Sequence, residues 1–148
     1  MCEKTGPQLG VNDELFYRQV TKDWLEDGVP TSQAFHPWRE IDAGCLSVDR
    51  HSRTTPAGAF KLFTDPKPTG FGGSSHGVWS LSREEIEGCM LSAWEDLLAA
   101  TTDTPENLAH AVVEFAPHEQ KAQRKIARKL KAYALKRGRV HQPTDIAG

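Results

Sequence analysis

Cysteine is scarce in this chain: Cys2, Cys45 and Cys89 are an odd count among 148 residues, with no CxxC pair. That pattern argues against a disulfide framework and predicts a reduced, cytoplasmic protein. No apolar run approaches the roughly 20 residues that a membrane-spanning helix needs, so no membrane partner is expected. The opening residues, MCEKTGPQLG, lack the basic and then apolar segments of a secretory signal. Diagnostic catalytic spacings are missing as well. There is no HExxH, and the glycine-rich FGGSSHG at 71–77 has neither GxGxxG nor GxxxxGK[ST] spacing, which makes a flexible loop the better reading than a phosphate cradle.

What is present fits one ordinary domain. The length suffices to bury a core, and four Trp, six Phe and two Tyr supply bulk for it. Charge is segregated along the chain. Residues 1–118 carry 9 Lys and Arg against 18 Asp and Glu, whereas 119–148 carry 9 against 2. The basic end therefore either meets an anionic partner or lies on the acidic body of its own fold.

The pattern of elements predicts an α+β fold: a small mixed β-sheet backed by two or three helices in a single domain spanning 14–142, after a flexible leader at 1–13 and before a tail at 143–148. Dense aromatic and branched residues make Glu14 to Val20 a strand, with Arg18 on the same face as Phe16 and Val20. Arg18 there either packs its stem and sends its head to water, or binds an anion at the strand end. Residues 21–44 are irregular, and His36 before Pro37 is expected on a solvated loop. Cys45 to Asp49 and Val78 to Leu81 are short strands. Thr55 before Pro56 starts a helix to Phe63. Ser82-x-x-Glu85 is a capping box opening a helix to about Ala100, with Ile86, Met90, Ala93, Trp94 and Leu97 as its stripe and Cys89 on the flank. Ala109 to Phe115 is a strand ended by Pro117. Glu119 to Arg137 is a basic C-terminal helix with Ala122, Ile126, Leu130, Tyr133 and Ala134 as its apolar stripe and Gly138 as cap. Arg139 to His141 adds an edge strand.

Chemistry-bearing side chains concentrate in TPENLAHAVVEF, Thr104 to Phe115, where Glu106, His110 and Glu114 sit at the mouth of a buried strand. With Cys89 and His118 they offer two possibilities. Cys89, His110 and His118 are suitable zinc ligands, although their spacing is not diagnostic. Alternatively Cys89 is a thiol nucleophile, His110 its base, and Glu106 or Glu114 the group that orients the base. Cys89 has a plain structural alternative as a buried helix residue.

Cys89, Glu106, His110 and His118 occur in the order that gives their name to the CEHH accessory proteins of bacterial ubiquitin-like conjugation operons, which the chain weakly resembles. That resemblance implies a metal- or thiol-dependent hydrolase acting on a protein or peptide bond, such as that of a ubiquitin-like precursor. A second set, Arg18, Ser74 or Ser75, and Glu114, is similar to the R-S-E order of ADP-ribosyltransferases, which implies NAD as cofactor held by the Arg and Ser. The chain departs from that family in having no S-T-S and no paired E-x-E. A third expectation is a binding module, in which Lys121, Arg124, Lys125, Arg128 and Lys129 meet a nucleic acid or an acidic protein.

Overall fold

The computed structural model describes residues 2–10, 14–116 and 118–143. The α+β class is as expected, and every strand pairing is antiparallel. Strands β1 (Leu15–Gln19), β4 (Cys45–Arg50), β5 (Val78–Ser82), β6 (Ser92–Glu95) and β7 (His110–Glu114) form one sheet in the order β5-β1-β4-β7-β6. A separate hairpin pairs β2 (Leu25–Glu26) with β3 (Val29–Pro30). The helices are α1 (Pro56–Thr64), α2 (Arg83–Gly88) and α3 (Gln120–Arg137).

Alternation along the strands divides the sheet into two faces. Phe16, Leu46, Val48, Trp79, Leu81, Ala93, Ala111 and Val113 are buried in the main core, together with Phe35, Ile86, Phe115 and the α3 residues Ile126, Leu130 and Ala134. The opposite face is only partly covered. Ala59 and Phe60 of α1 pack there on Tyr17 and Val78, which leaves Ser47, Asp49 and His110 beside an open groove.

Local signals account for most of these elements. The Thr55 hydroxyl accepts from the Gly58 amide at 3.0 Å with Pro56 in the first turn, and Ser82 and Glu85 complete a reciprocal capping box. Gly138, with φ 91°, follows α3 and its amide donates to Ala134 O. Val78 bridges to His141, as expected for an edge strand. The Val140 amide donates to Val78 O at 2.8 Å.

Five expectations are corrected. The helix from Ser82 ends at Gly88 instead of about Ala100, because Met90 turns left-handed at φ 62° and Ser92–Glu95 pairs with β7 as an edge strand. Met90, expected on the apolar stripe, is 78 % exposed. In α3 the buried positions are Gln123, Ile126, Ala127, Leu130 and Ala134, and Tyr133 is exposed. His36 is buried instead of solvated, since the short turn Ser32–Phe35 carries Ala34 and Phe35 into the core and brings the imidazole beside Phe115. Cys2 and Cys45 form a disulfide across 43 residues, which removes the sequence argument for a reduced protein.

The expected leader is ordered along β6 over the part that is described. The Gly6 amide donates to Glu95 O at 3.1 Å, Glu95 N to Pro7 O at 2.9 Å and Leu9 N to Ala93 O at 2.8 Å. Residues 11–13, Pro117 and 144–148 lie outside the described residues, and with them the expected strand stop and most of the tail. Among the described residues no helix is long and apolar enough to cross a membrane.

Candidate functional site

The groove on the half-covered face has a volume of about 900 Å³. Its floor is the polar side of β1, β4 and β7: Tyr17, Gln19, Ser47, Asp49 and His110. Trp24, Trp38, Arg39, Leu62, Phe63, Phe71, Ser74, Leu98 and Asn107 also line it.

Antiparallel register makes Asp49 and His110 direct cross-strand partners. His110 Nδ1 lies 2.8 Å from the Asp96 backbone oxygen and 3.2 Å from its Oδ2. A carbonyl oxygen can only accept, so Nδ1 carries the proton and the neutral ring keeps its lone pair on Nε2. Among the described residues Nε2 has no hydrogen-bond partner. The Asp96 carboxylate is itself held from the other side, where the Thr5 amide donates to Oδ1 at 3.1 Å.

Asp49 accepts from Asn107 Nδ2 at 2.8 Å, and Asn107 is fixed in turn through Oδ1, which accepts from the Ala109 amide at 3.1 Å. Burial pushes the Asp49 carboxyl above the ordinary carboxylate range, against opposing pulls from the Asn107 hydrogen bond and from His110 and Arg18. A carboxyl raised by burial beside an oriented imidazole is the pairing that general acid–base chemistry uses. Gln19 lies on the same floor and is 9 % exposed, and neither of its amide atoms has a partner among the described residues.

Arg18 sits where β1 and β4 part, beyond their two pairs at Phe16–Arg50 and Tyr17–Asp49. Its Nε donates to Ala34 O at 2.8 Å and one terminal nitrogen to Ser47 O at 2.9 Å, while the guanidinium lies 4.8 Å from the centre of the Trp24 ring. Desolvation lowers its pKa to about 10, so it stays cationic at neutral pH.

The expected Cys89–Glu106–His110 constellation is dispersed. Cys89 is buried in the core beneath α3, on the opposite side of the sheet from His110, and burial raises its thiol pKa, which disfavours the reactive thiolate. Glu106 is exposed on the turn before Asn107. His118 points its Nε2 at Met90 O, 2.9 Å away. Glu114 is at the far end of β7 from His110 and pairs with Lys4 Nζ at 2.5 Å. Ser74 borders the groove with Arg18, whereas the Ser75 hydroxyl bonds to Gly77 O at 3.0 Å. Lys121, Arg124, Lys125, Arg128 and Lys129 are exposed along α3, and none forms an ion pair among the described residues.

The residues that sequence reasoning missed are Asp49, Asp96, Asn107 and Gln19. For Asp49 a signal existed, since alternation in Cys45 to Asp49 sets Ser47 and Asp49 opposite Leu46 and Val48. Comparison with protein-family models, with curated proteins and with solved structures finds no match for the chain.

Proposed function

We propose that this chain is a hydrolase of amide bonds in protein or peptide substrates, with His110 as general base, Asp96 as the group that orients it, and Asp49 as general acid. The observation that carries the reading is the His110 ring, tied through Nδ1 to Asp96 and open at Nε2, directly across the sheet from a carboxyl of raised pKa. In such a reaction a water proton passes to Nε2 as the water oxygen bonds to the carbonyl carbon. The C–N bond then breaks, the leaving nitrogen takes the Asp49 proton, and the imidazolium proton restores Asp49. Neither Cys89 nor a metal is needed. Leu62, Phe63 and Phe71 offer an apolar wall for a side chain next to the scissile bond.

The test is cleavage of a proteome-derived peptide mixture, read by mass spectrometry. Wild type should cut a subset of peptides, and His110→Ala should lose at least about a hundredfold in rate, the span of acid–base contributions. Its Tm should fall by only about 2–4 °C, since the His110 side chain, 13 % exposed, lies outside the apolar core and loses one hydrogen bond to Asp96. Undiminished cutting by His110→Ala, or no cutting by wild type, rejects the reading.

One observation favours a second reading, an ADP-ribosyltransferase-like domain: Arg18 and Ser74 border the same groove. Glu114 is engaged by Lys4 and is not among the residues that line it. The absence of an NAD-dependent thermal shift in wild type would dismiss this alternative.

A further inference from the structure

At Cys45, which also lines the groove, the Cys2 and Cys45 sulfurs and a Glu114 carboxylate oxygen lie within 4.8 Å of one another, the one group of three or more such ligand atoms among the described residues. We propose that these three residues form a redox-gated site for a thiophilic divalent cation of the zinc type, which fastens the N-terminal segment to the sheet when the disulfide is open. Its donors are distinct from the residues of the acid–base centre. His110 and Glu114 occupy opposite ends of β7, roughly 13 Å apart at strand rise.

The three donors are placed by the fold and not only by the S–S bond. Cys45 and Glu114 are cross-strand partners in the β4–β7 register. Cys2 is brought in by the segment that follows it, through the backbone bonds of Gly6, Pro7 and Leu9 to β6 and the Thr5 amide on Asp96. Lys4 adds a cation–π contact, its Nζ 4.8 Å from the Trp94 ring centre. When the disulfide opens, the two sulfurs therefore stay near each other and near the carboxylate. The Cα–Cα distance of 5.9 Å suits two thiolates on one tetrahedral ion, whose sulfurs lie about 3.8 Å apart at zinc–sulfur distances of ~2.3 Å.

The chemistry balances. A dithiol reductant attacks one sulfur, passes through a mixed disulfide and leaves as its own disulfide, releasing two protein thiols. The cation then displaces both thiol protons and adds the Glu114 carboxylate, giving two sulfur ligands, one oxygen ligand and a fourth place for water. Lys4 opposes this step, because its ammonium lies 2.5 Å from Glu114 Oε2 and must move away when a second cation arrives. The segment would thus be held by a covalent bond under oxidising conditions and by a metal under reducing ones.

The experiment uses the full chain, reduced with a phosphine that does not bind zinc, or left oxidised, and titrated with zinc against a chromogenic chelator. Stoichiometry is checked by native mass spectrometry. Reduced wild type should take one zinc and oxidised wild type none. Cys2→Ser should weaken binding at least about tenfold, Glu114→Gln should weaken it less, and Lys4→Ala should tighten it. Cys89→Ser should leave it unchanged, which assigns the thiolates. Cys2 lies in the peripheral segment, so Cys2→Ser is informative even where Cys45→Ser fails to fold. No zinc on the reduced wild type, equal zinc on the oxidised protein, or undiminished binding by Cys2→Ser overturns the proposal.

Discussion

Arg18→Met separates a structural arginine from a ligand-binding one. The substitution keeps an unbranched apolar stem between β1 and Trp24 but removes the two donations to Ala34 O and Ser47 O and the contact over the indole. Ala34 is fully buried, so its carbonyl has no route to water and orphaning it costs about 1–3 kcal/mol. Ser47 is exposed and its carbonyl can hydrate, which makes that loss small. The cation–π contact adds about 1 kcal/mol in this partly desolvated position. The expected total is about 2–4 kcal/mol, or roughly 4–16 °C in Tm for a domain of this size. Urea titration and differential scanning calorimetry would measure it. A Tm change under about 2 °C would refute the reasoning and return Arg18 to the candidates for holding an anion.

Three further outcomes follow from the same geometry. Asp49 has a raised pKa, so the folded chain holds its proton more tightly than the unfolded one; the stability it contributes is present at acid pH and is lost as pH rises through the folded-state value. Asp49→Asn keeps an acceptor for Asn107, and its Tm relative to wild type should therefore climb from pH 4 toward neutrality while peptide cleavage falls; a pH-independent difference contradicts the assignment. His36 is depressed, chiefly by burial, so its contribution is full above the ordinary His value of ~6.5 and is lost as pH falls through the folded value. His36→Gln should flatten the acid side of the Tm profile, and an unchanged acid limb would remove His36 from that role. The bare cations of α3 should give the chain a salt-sensitive affinity for a polyanion such as heparin, reduced in a Lys125→Glu, Lys129→Glu variant; retention on the polyanion that ignores salt would discount the anionic-partner reading.

Local signals were legible where one short stretch decides the outcome. Dense aromatic and branched residues located β1, short apolar runs located β4 and β7, and the Thr55–Pro56 start, the Ser82–Glu85 box and the Gly138 cap marked helix ends. The stretch after Gly88 misled because Ile86, Met90, Ala93, Trp94 and Leu97 satisfy helical spacing, while Leu91 and Ala93 equally satisfy the alternation that β6 uses. Only pairing with β7 decides between the two. The site was half legible for a similar reason. His110 stood out because it opens an apolar strand, but its partners come from β4 and from Asp96, brought together by long-range register that no local pattern encodes. The Cys2–Cys45 bond was invisible at a separation of 43 for the same reason.

The central claim is that His110 offers a lone pair to the groove, and it can be tested without a substrate. Long-range ¹H–¹⁵N correlation of the histidine side chains, assigned through His110→Gln, would report the tautomer of the neutral ring in wild type and in Asp96→Asn. The account predicts a protonated Nδ1 and a bare Nε2 in wild type, and the same tautomer in Asp96→Asn, because the Asp96 backbone oxygen at 2.8 Å remains as the acceptor. A ring protonated on Nε2 in wild type would point its lone pair at Asp96 and would contradict the assignment of His110 as the base.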